Sequence, residues 1–151
     1  MPQQPPHDEN GNVMPHDHDE IEDEDFVIRR ISELQLCRDK DGRRRISSKA
    51  YQGSSEAGGG MSVDIRKFIE ADDIEPRDWV TSPRWLGSVR FSAGCLRSLE
   101  LQVGYDPLPN KLSEERNPYH GGVWGSFSRA TKRRMQQNAQ WFVPIADAEL
   151  F

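Results

Sequence analysis

The stretch Leu99-Glu100-Leu101-Gln102-Val103-Gly104-Tyr105 sets apolar side chains at every odd position and polar or small ones between them. A period of two marks a half-buried strand, because successive side chains point to opposite faces of a sheet. Asp106-Pro107-Leu108-Pro109-Asn110 ends it, since proline has no N–H to give a ladder. Immediately upstream, Leu86-Gly87-Ser88-Val89-Arg90-Phe91 alternates in the same way, and Ser92 is placed to cap a short turn over residues 93–98.

Outward from this pair the chain supplies more of the same. Residues 119–127 predict a strand weighted by Val123 and Trp124. Ser128 caps a final helix with Met135, Ala139 and Phe142 at the i, i+4, i+7 spacing of one buried face, closed by Pro144. At the other end, Phe26-Val27-Ile28-Arg29-Arg30-Ile31 is rich in β-branched residues and predicts the first strand, which Leu34 to Cys37 continue after a bulge. Arg38-Asp39-Lys40-Asp41-Gly42 has hairpin-turn composition, and a returning strand starts at Arg43. Residues 53–60 carry almost no side chain to pack and predict a mobile loop. They lack the Gly-Lys-Ser or Gly-Lys-Thr ending of a phosphate loop. Ser62 predicts the cap of a helix over residues 63–70, with Ile65, Phe68 and Ile69 inward and Asp64 in its first turn. Residues 72–84, with Pro76 and Pro83, predict a non-helical connection anchored by Trp79 and Trp85. The order implies an α+β fold, a mainly antiparallel sheet with about two helices. It occupies residues 26–146 as a single domain, with 147–151 as a C-terminal tail.

Residues 1–25 differ in kind. They hold nine of the 25 acids, none of the 20 Lys and Arg, four prolines and three of the four histidines. Like charges repel and few apolar groups offset the entropy of ordering, so composition predicts a disordered acidic N-terminal arm. The rest of the chain then carries 20 bases against 16 acids, a mildly basic body in a protein of net charge −5. No apolar run approaches the ~18 residues of a membrane span, and no presequence pattern opens the chain. A cytoplasmic protein with no membrane partner is expected, with Cys37 and Cys95 as two reduced thiols.

Asn117-Pro118-Tyr119-His120-Gly121-Gly122-Val123-Trp124-Gly125 concentrates the candidate chemistry, because His120 is the only histidine outside the arm. An imidazole at a strand entrance suits general acid or base work, with Asn117, Tyr119 and Trp124 as binding neighbours. The competing reading is structural: Tyr119 and His120 satisfy each other or the backbone, and the glycines admit Trp124. Arg45, Ser47 and Ser48 form a second candidate, since arginine and paired hydroxyls hold phosphate or carboxylate and Asp64 would orient water or His120. His16-Asp17-His18-Asp19-Glu20 has chelating composition without expected geometry, and Cys37, Cys95 and His120 lack a fourth ligand, so neither metal nor cofactor is expected. Arg43, Arg44, Arg45 and Lys132, Arg133, Arg134 are basic runs suited to nucleic-acid phosphates, though an acidic arm would compete for the same surface.

The motifs Arg45-x-Ser47-Ser48-x-Ala50-Tyr51, Met61-Ser62-Val63-Asp64, Asp106-Pro107-x-Pro109 and Asn117-Pro118-x-His120 together resemble a family of small bacterial proteins over about residues 26–145. The resemblance implies that these segments belong together and carries no reaction, substrate or cofactor. Tyr51 stands where that family has phenylalanine. The expected function is an accessory protein that binds a macromolecular partner, most readily another protein of its own pathway. The rival is a small hydrolase or transferase for a phosphate-bearing or nucleotide substrate, with His120 as acid or base. Convergence of His120, Asp64 and Ser47 in one pocket would favour the rival.

Overall fold

The computed structural model describes residues 2–54, 59–82, 84–109 and 116–151. β1 (Phe26–Ile31) leads through a 3-10 turn at Glu33–Gln35 into a hairpin of β2 (Leu36–Arg38) and β3 (Arg44–Ile46). A second 3-10 turn, Ser48–Ala50, precedes β4 (Met61–Ile65), which runs into α1 (Arg66–Ala71) and then α2 (Pro76–Val80). β5 (Gly87–Ser92), α3 (Ala93–Ser98), β6 (Gln102–Tyr105), β7 (His120–Trp124), α4 (Arg129–Asn138), β8 (Gln140–Val143) and β9 (Ala148–Glu149) follow. Six strands form one antiparallel sheet in the order β6-β7-β4-β1-β5-β8, and β2, β3 and β9 form a second, small sheet. The α+β class with a dominant antiparallel sheet is as the sequence predicts.

The alternating stretches follow their period only in part: the strand expected from Leu99 begins at Gln102, because Leu99 closes α3 and Glu100 turns with φ +65°. Leu101, Val103 and Tyr105 are buried, and Val103 shares a sheet face with Val123 opposite it. That face, with Val27, Val63, Val89 and Phe91, carries the main core. The opposite face carries Ile28, Asp64, Arg90 and His120 over a small cluster of Ile28, Val80 and Phe142. The hairpin turn forms as expected, with the Asp39 carboxylate accepting from the Asp41 and Arg43 amides.

Several expectations are corrected. Residues 62–65 are strand, because Met61, Val63 and Ile65 alternate and all three enter the core; the helix begins only at Arg66, and Asp64 belongs to β4. Residues 72–84 include a short helix: Pro76 sits at its start, where a missing N–H is harmless, and the Glu75 side chain accepts from the Arg77 amide. With α3 this gives four helices among the described residues, against about two. The last helix stops at Asn138, so Phe142 lies on β8 and Pro144 follows a strand. Residues 36–38 form a strand of the small sheet and do not prolong β1. The C-terminal residues form β9, parallel to β3, where a free tail was expected. Part of the glycine loop, residues 55–58, and part of the charged loop, 110–115, lie outside the described residues.

The largest correction concerns the acidic arm, which lies against the body. Ile21 is 1 % exposed within the main core and His18 is buried between Phe68 and Tyr105. Arg97 binds Asp17 at 3.1 Å, Asp23 at 2.8 Å and the Ile21 carbonyl at 2.7 Å, while Lys67 reaches Asp25 and the Glu20 carbonyl. Composition predicted disorder because it counts charges without counting the cations waiting for them. Ile21→Ala is expected to cost about 2 to 4 kcal/mol in a denaturant titration, the usual range for truncating a buried isoleucine. A loss below ~1 kcal/mol would separate the arm from the cooperative unit.

Candidate functional site

β4 and β7 pair with Asp64 directly opposite His120, so both side chains leave the same face of the sheet. The two residues singled out for acid–base work are therefore neighbours, but each is already engaged. Asp64 is 3 % exposed, and both its oxygens are taken: Arg30 donates Nε to Oδ2 at 2.9 Å and Nη2 to Oδ1 at 3.1 Å. Asn117 Nδ2 adds a third donor to Oδ1 at 2.8 Å. Asn117 also accepts the Tyr119 amide at 3.1 Å and exchanges both backbone bonds with Leu108, which fixes the turn into β7. This network holds β1, β4 and the approach to β7 together.

His120 donates Nδ1–H to the Asp106 carbonyl at 2.7 Å, and a carbonyl can only accept. Nε2 has no hydrogen-bond partner among the described residues. The Asp106 carboxylate stands 3.6 Å from Nδ1. Burial raises the Asp106 carboxyl above its usual range, against the opposing pull of His120, His16 and His7. Tyr119 donates to Asp72 at 2.6 Å and packs edge-on against Trp79 at 4.9 Å; burial and that hydrogen bond push its phenol up to about 12. Trp124 lies on the same face as His120, buried and tilted against the His16 ring at 5.3 Å. A Cβ on Gly122 would come 2.5 Å from the Trp124 ring, so this glycine provides the ring's seat.

Ser47 and Ser48 are elsewhere. Ser47 caps the turn Ser48–Ala50, and Arg29, on the main-core side of β1, donates Nε to the Ala50 carbonyl at 2.9 Å. Tyr51 next to it packs edge-on against Phe91 at 5.5 Å, on that same side. The sheet itself separates this turn from Asp64 and His120, so the expected shared site does not form. Arg45 lies on β3, opposite Cys37 and beside Glu149. Cys37 sits on β2 and Cys95 on α3, both as free thiols. Two of the open hollows among the described residues lie away from Asp64 and His120. One, of about 590 Å³, is lined by Arg38, Arg43, Arg44 and Glu149, and the other, of about 450 Å³, lies between the arm and Arg97. Neither includes His120 or Asp64.

What the structure does bring together is base. Residues 42–55 and 116–146 contain no Asp or Glu, and they carry four and five Lys or Arg respectively. α4 packs on the turn Ser48–Ala50: Gln136 Nε2 donates to the Ile46 carbonyl at 3.5 Å, and Lys132 Nζ to Gln52 Oε1 at 3.1 Å. Arg129, Arg133, Arg134, Ser48 and Lys49 are exposed there. Arg43 and Arg44, by contrast, are paired with Glu149 and Glu33. Arg30, which holds Asp64, and Arg97, which holds the arm, were missed in the sequence because neither stands in the three-residue basic runs at 43–45 and 132–134. Comparison with family models, with curated proteins and with solved structures finds no match to this chain. No helix among the described residues is long and apolar enough to cross a membrane.

Asp64→Ala strands the Arg30 guanidinium, whose side chain is only 18 % exposed, and is expected to cost about 3 kcal/mol in chemical denaturation. Arg30→Met with Asp64→Leu should restore most of that loss; a double variant no better than Asp64→Ala would refute the ion-pair account. Asp106 gives a pH test. A carboxyl raised in the folded protein penalises folding above its folded pKa, and the penalty disappears as pH falls through that value. Asp106→Asn should therefore be at least as stable as the parent at neutral pH, with the advantage shrinking in acid. An advantage that grows on acidification would reverse the sign.

Proposed function

We propose that this protein is a binding module that docks an acidic protein surface on the basic face formed by α4 and the Ser48–Ala50 turn. The observation that carries the reading is the union of two acid-free segments at one place, while the acidic arm is committed to Arg97 and Lys67. Arg129, Lys132 and Arg133 stand at i, i+3 and i+4, so they share one helix face. Cations so placed steer an acidic partner and fix its register. A protein partner is preferred to single-stranded nucleic acid because the four tryptophans are engaged elsewhere: Trp124 is buried, Trp79 packs on Tyr119, Trp85 lies under Arg84, and Trp141, half-buried on β8, packs against the main core. A partner of its own pathway in the cytoplasm is consistent with this reading.

The enzyme reading keeps one observation, the Nε2 of His120, which has no partner among the described residues, beside Asp64. It is weakened by the full occupation of Asp64 and by the placement of Ser47 across the sheet.

Retention on immobilised polyglutamate and on duplex DNA, followed over a salt series, tests the proposal. Arg129→Glu with Arg133→Glu is expected to weaken polyglutamate binding by roughly tenfold or more, about 1.4 kcal/mol, and His120→Ala to leave it unchanged. DNA retained more tightly than polyglutamate, with a steep salt dependence abolished by the same pair, would replace the protein partner with a nucleic acid. Binding indifferent to the pair would sink both.

A further inference from the structure

β6 is the terminal strand of the large sheet, and its outer edge is occupied by the arm. Among the described residues one backbone bond serves that edge, from the His18 amide to the Val103 carbonyl at 3.0 Å. The other two contacts are side-chain substitutes. Val103 N–H donates to Asp17 Oδ1 at 2.8 Å, and Tyr105 N–H donates to His16 Nε2 at 3.1 Å. His16 is held for this by donating Nδ1–H to the Met14 carbonyl at 2.7 Å. The arm also crosses over the strand instead of running beside it. A Cβ on Gly104 would meet His16 Nε2 at 2.6 Å and the His16 carbonyl oxygen at 2.7 Å. Beside the crossing, Arg97 gathers Asp17, Asp23 and the Ile21 carbonyl, next to an open hollow of about 450 Å³.

An unpaired edge is a template for another strand, and natural folds cover such edges with loops or charges. Here the cover imitates a strand with carboxylate and imidazole acceptors, where a true strand would offer a continuous row of N–H and C=O groups. We propose that the β6 edge is a second binding surface, a strand-addition site for an extended acidic segment of a partner, and that residues 16–18 are the strap that closes it. The arm indicates what the site accepts: a main-chain donor at the Val103 carbonyl, acceptors at the Val103 and Tyr105 amides, and a carboxylate on Arg97. Strand addition takes its affinity from main-chain bonds, and its specificity from side-chain pockets along the edge. The strap competes from within the chain at a high effective concentration, so the site is closed until a segment with better edge pairing arrives.

The test uses the full chain carrying Asp17→Asn and a labelled peptide of residues 14–25 as the probe, with hydrogen exchange read at the Val103 and Tyr105 amides. Both amides are expected to exchange slowly in the parent, quickly in the variant, and slowly again with peptide. The peptide should bind the variant about tenfold or more tighter than the parent, because the arm in cis no longer competes fully. Arg97→Ala added to the variant should abolish that binding, and Lys132→Glu should leave it intact, which separates this site from the α4 face. Gly104→Ala is the second release variant, since its Cβ obstructs the crossing arm and not an in-plane strand. Amides that remain protected in both variants would make the arm a permanent part of the fold and overturn the proposal. Released amides that the peptide fails to protect would overturn it too, as would dimerisation of the released chain, which would put a second copy on the edge.

Discussion

Between β1 and β4 the backbone ladder covers only two residue pairs, Val27 with Ile65 and Ile28 with Asp64, and beyond them arginine side chains join the strands. Arg29 donates to the Ser62 and Ala50 carbonyls at 2.9 Å each, and Arg30 grips Asp64 with two bonds. The central strand of the sheet thus depends on two guanidinium groups leaving adjacent residues on opposite faces. Burial lowers Arg29 to about 10, still far above neutrality, so it remains a cation that answers to carbonyl oxygens. Replacing either arginine removes a junction between strands along with a charge.

This dependence explains why so much of the ordinary secondary structure was legible and the site was not. β5, β6, the hairpin at residues 38–42 and the Ser128 cap of α4 announce themselves through local chemistry: period two, an Asx turn, a hydroxyl accepting from Thr131. Ser62 misled because a serine followed by an acid and then apolar residues is also how helices begin. What decided the matter was the alternation of Met61, Val63 and Ile65 and their pairing on both sides, which is tertiary information.

The candidate site divides along the same line. A pairing of Asp64 as orienter with His120 as acid or base was legible only as a candidate, and the register of β4 against β7 sets the two opposite each other. That Ser47 and Ser48 lie behind the sheet was not, because face is set by register, and one residue of slip exchanges the two faces. Asp64 read as a free carboxylate because its partner, Arg30, is 34 positions away in a strand read for its apolar residues. A buried carboxylate with three donors is poorly placed to take a proton from a substrate, whatever its neighbours suggest.

Net charge misleads here for a related reason. The chain as a whole is −5, which would argue against an acidic partner if charge were spread evenly. It is not: nine acids stand in the arm, and the arm is folded onto α1, α3 and β6, whereas α4 and its supporting turn contain none. Screening limits the reach of exposed charges to ~8 Å at physiological salt, so an approaching surface responds to the local field and not to the total. The same folding that removes the arm's carboxylates from competition at α4 also brings them to the β6 edge. There they occupy the amide and guanidinium donors that an acidic strand would otherwise find open.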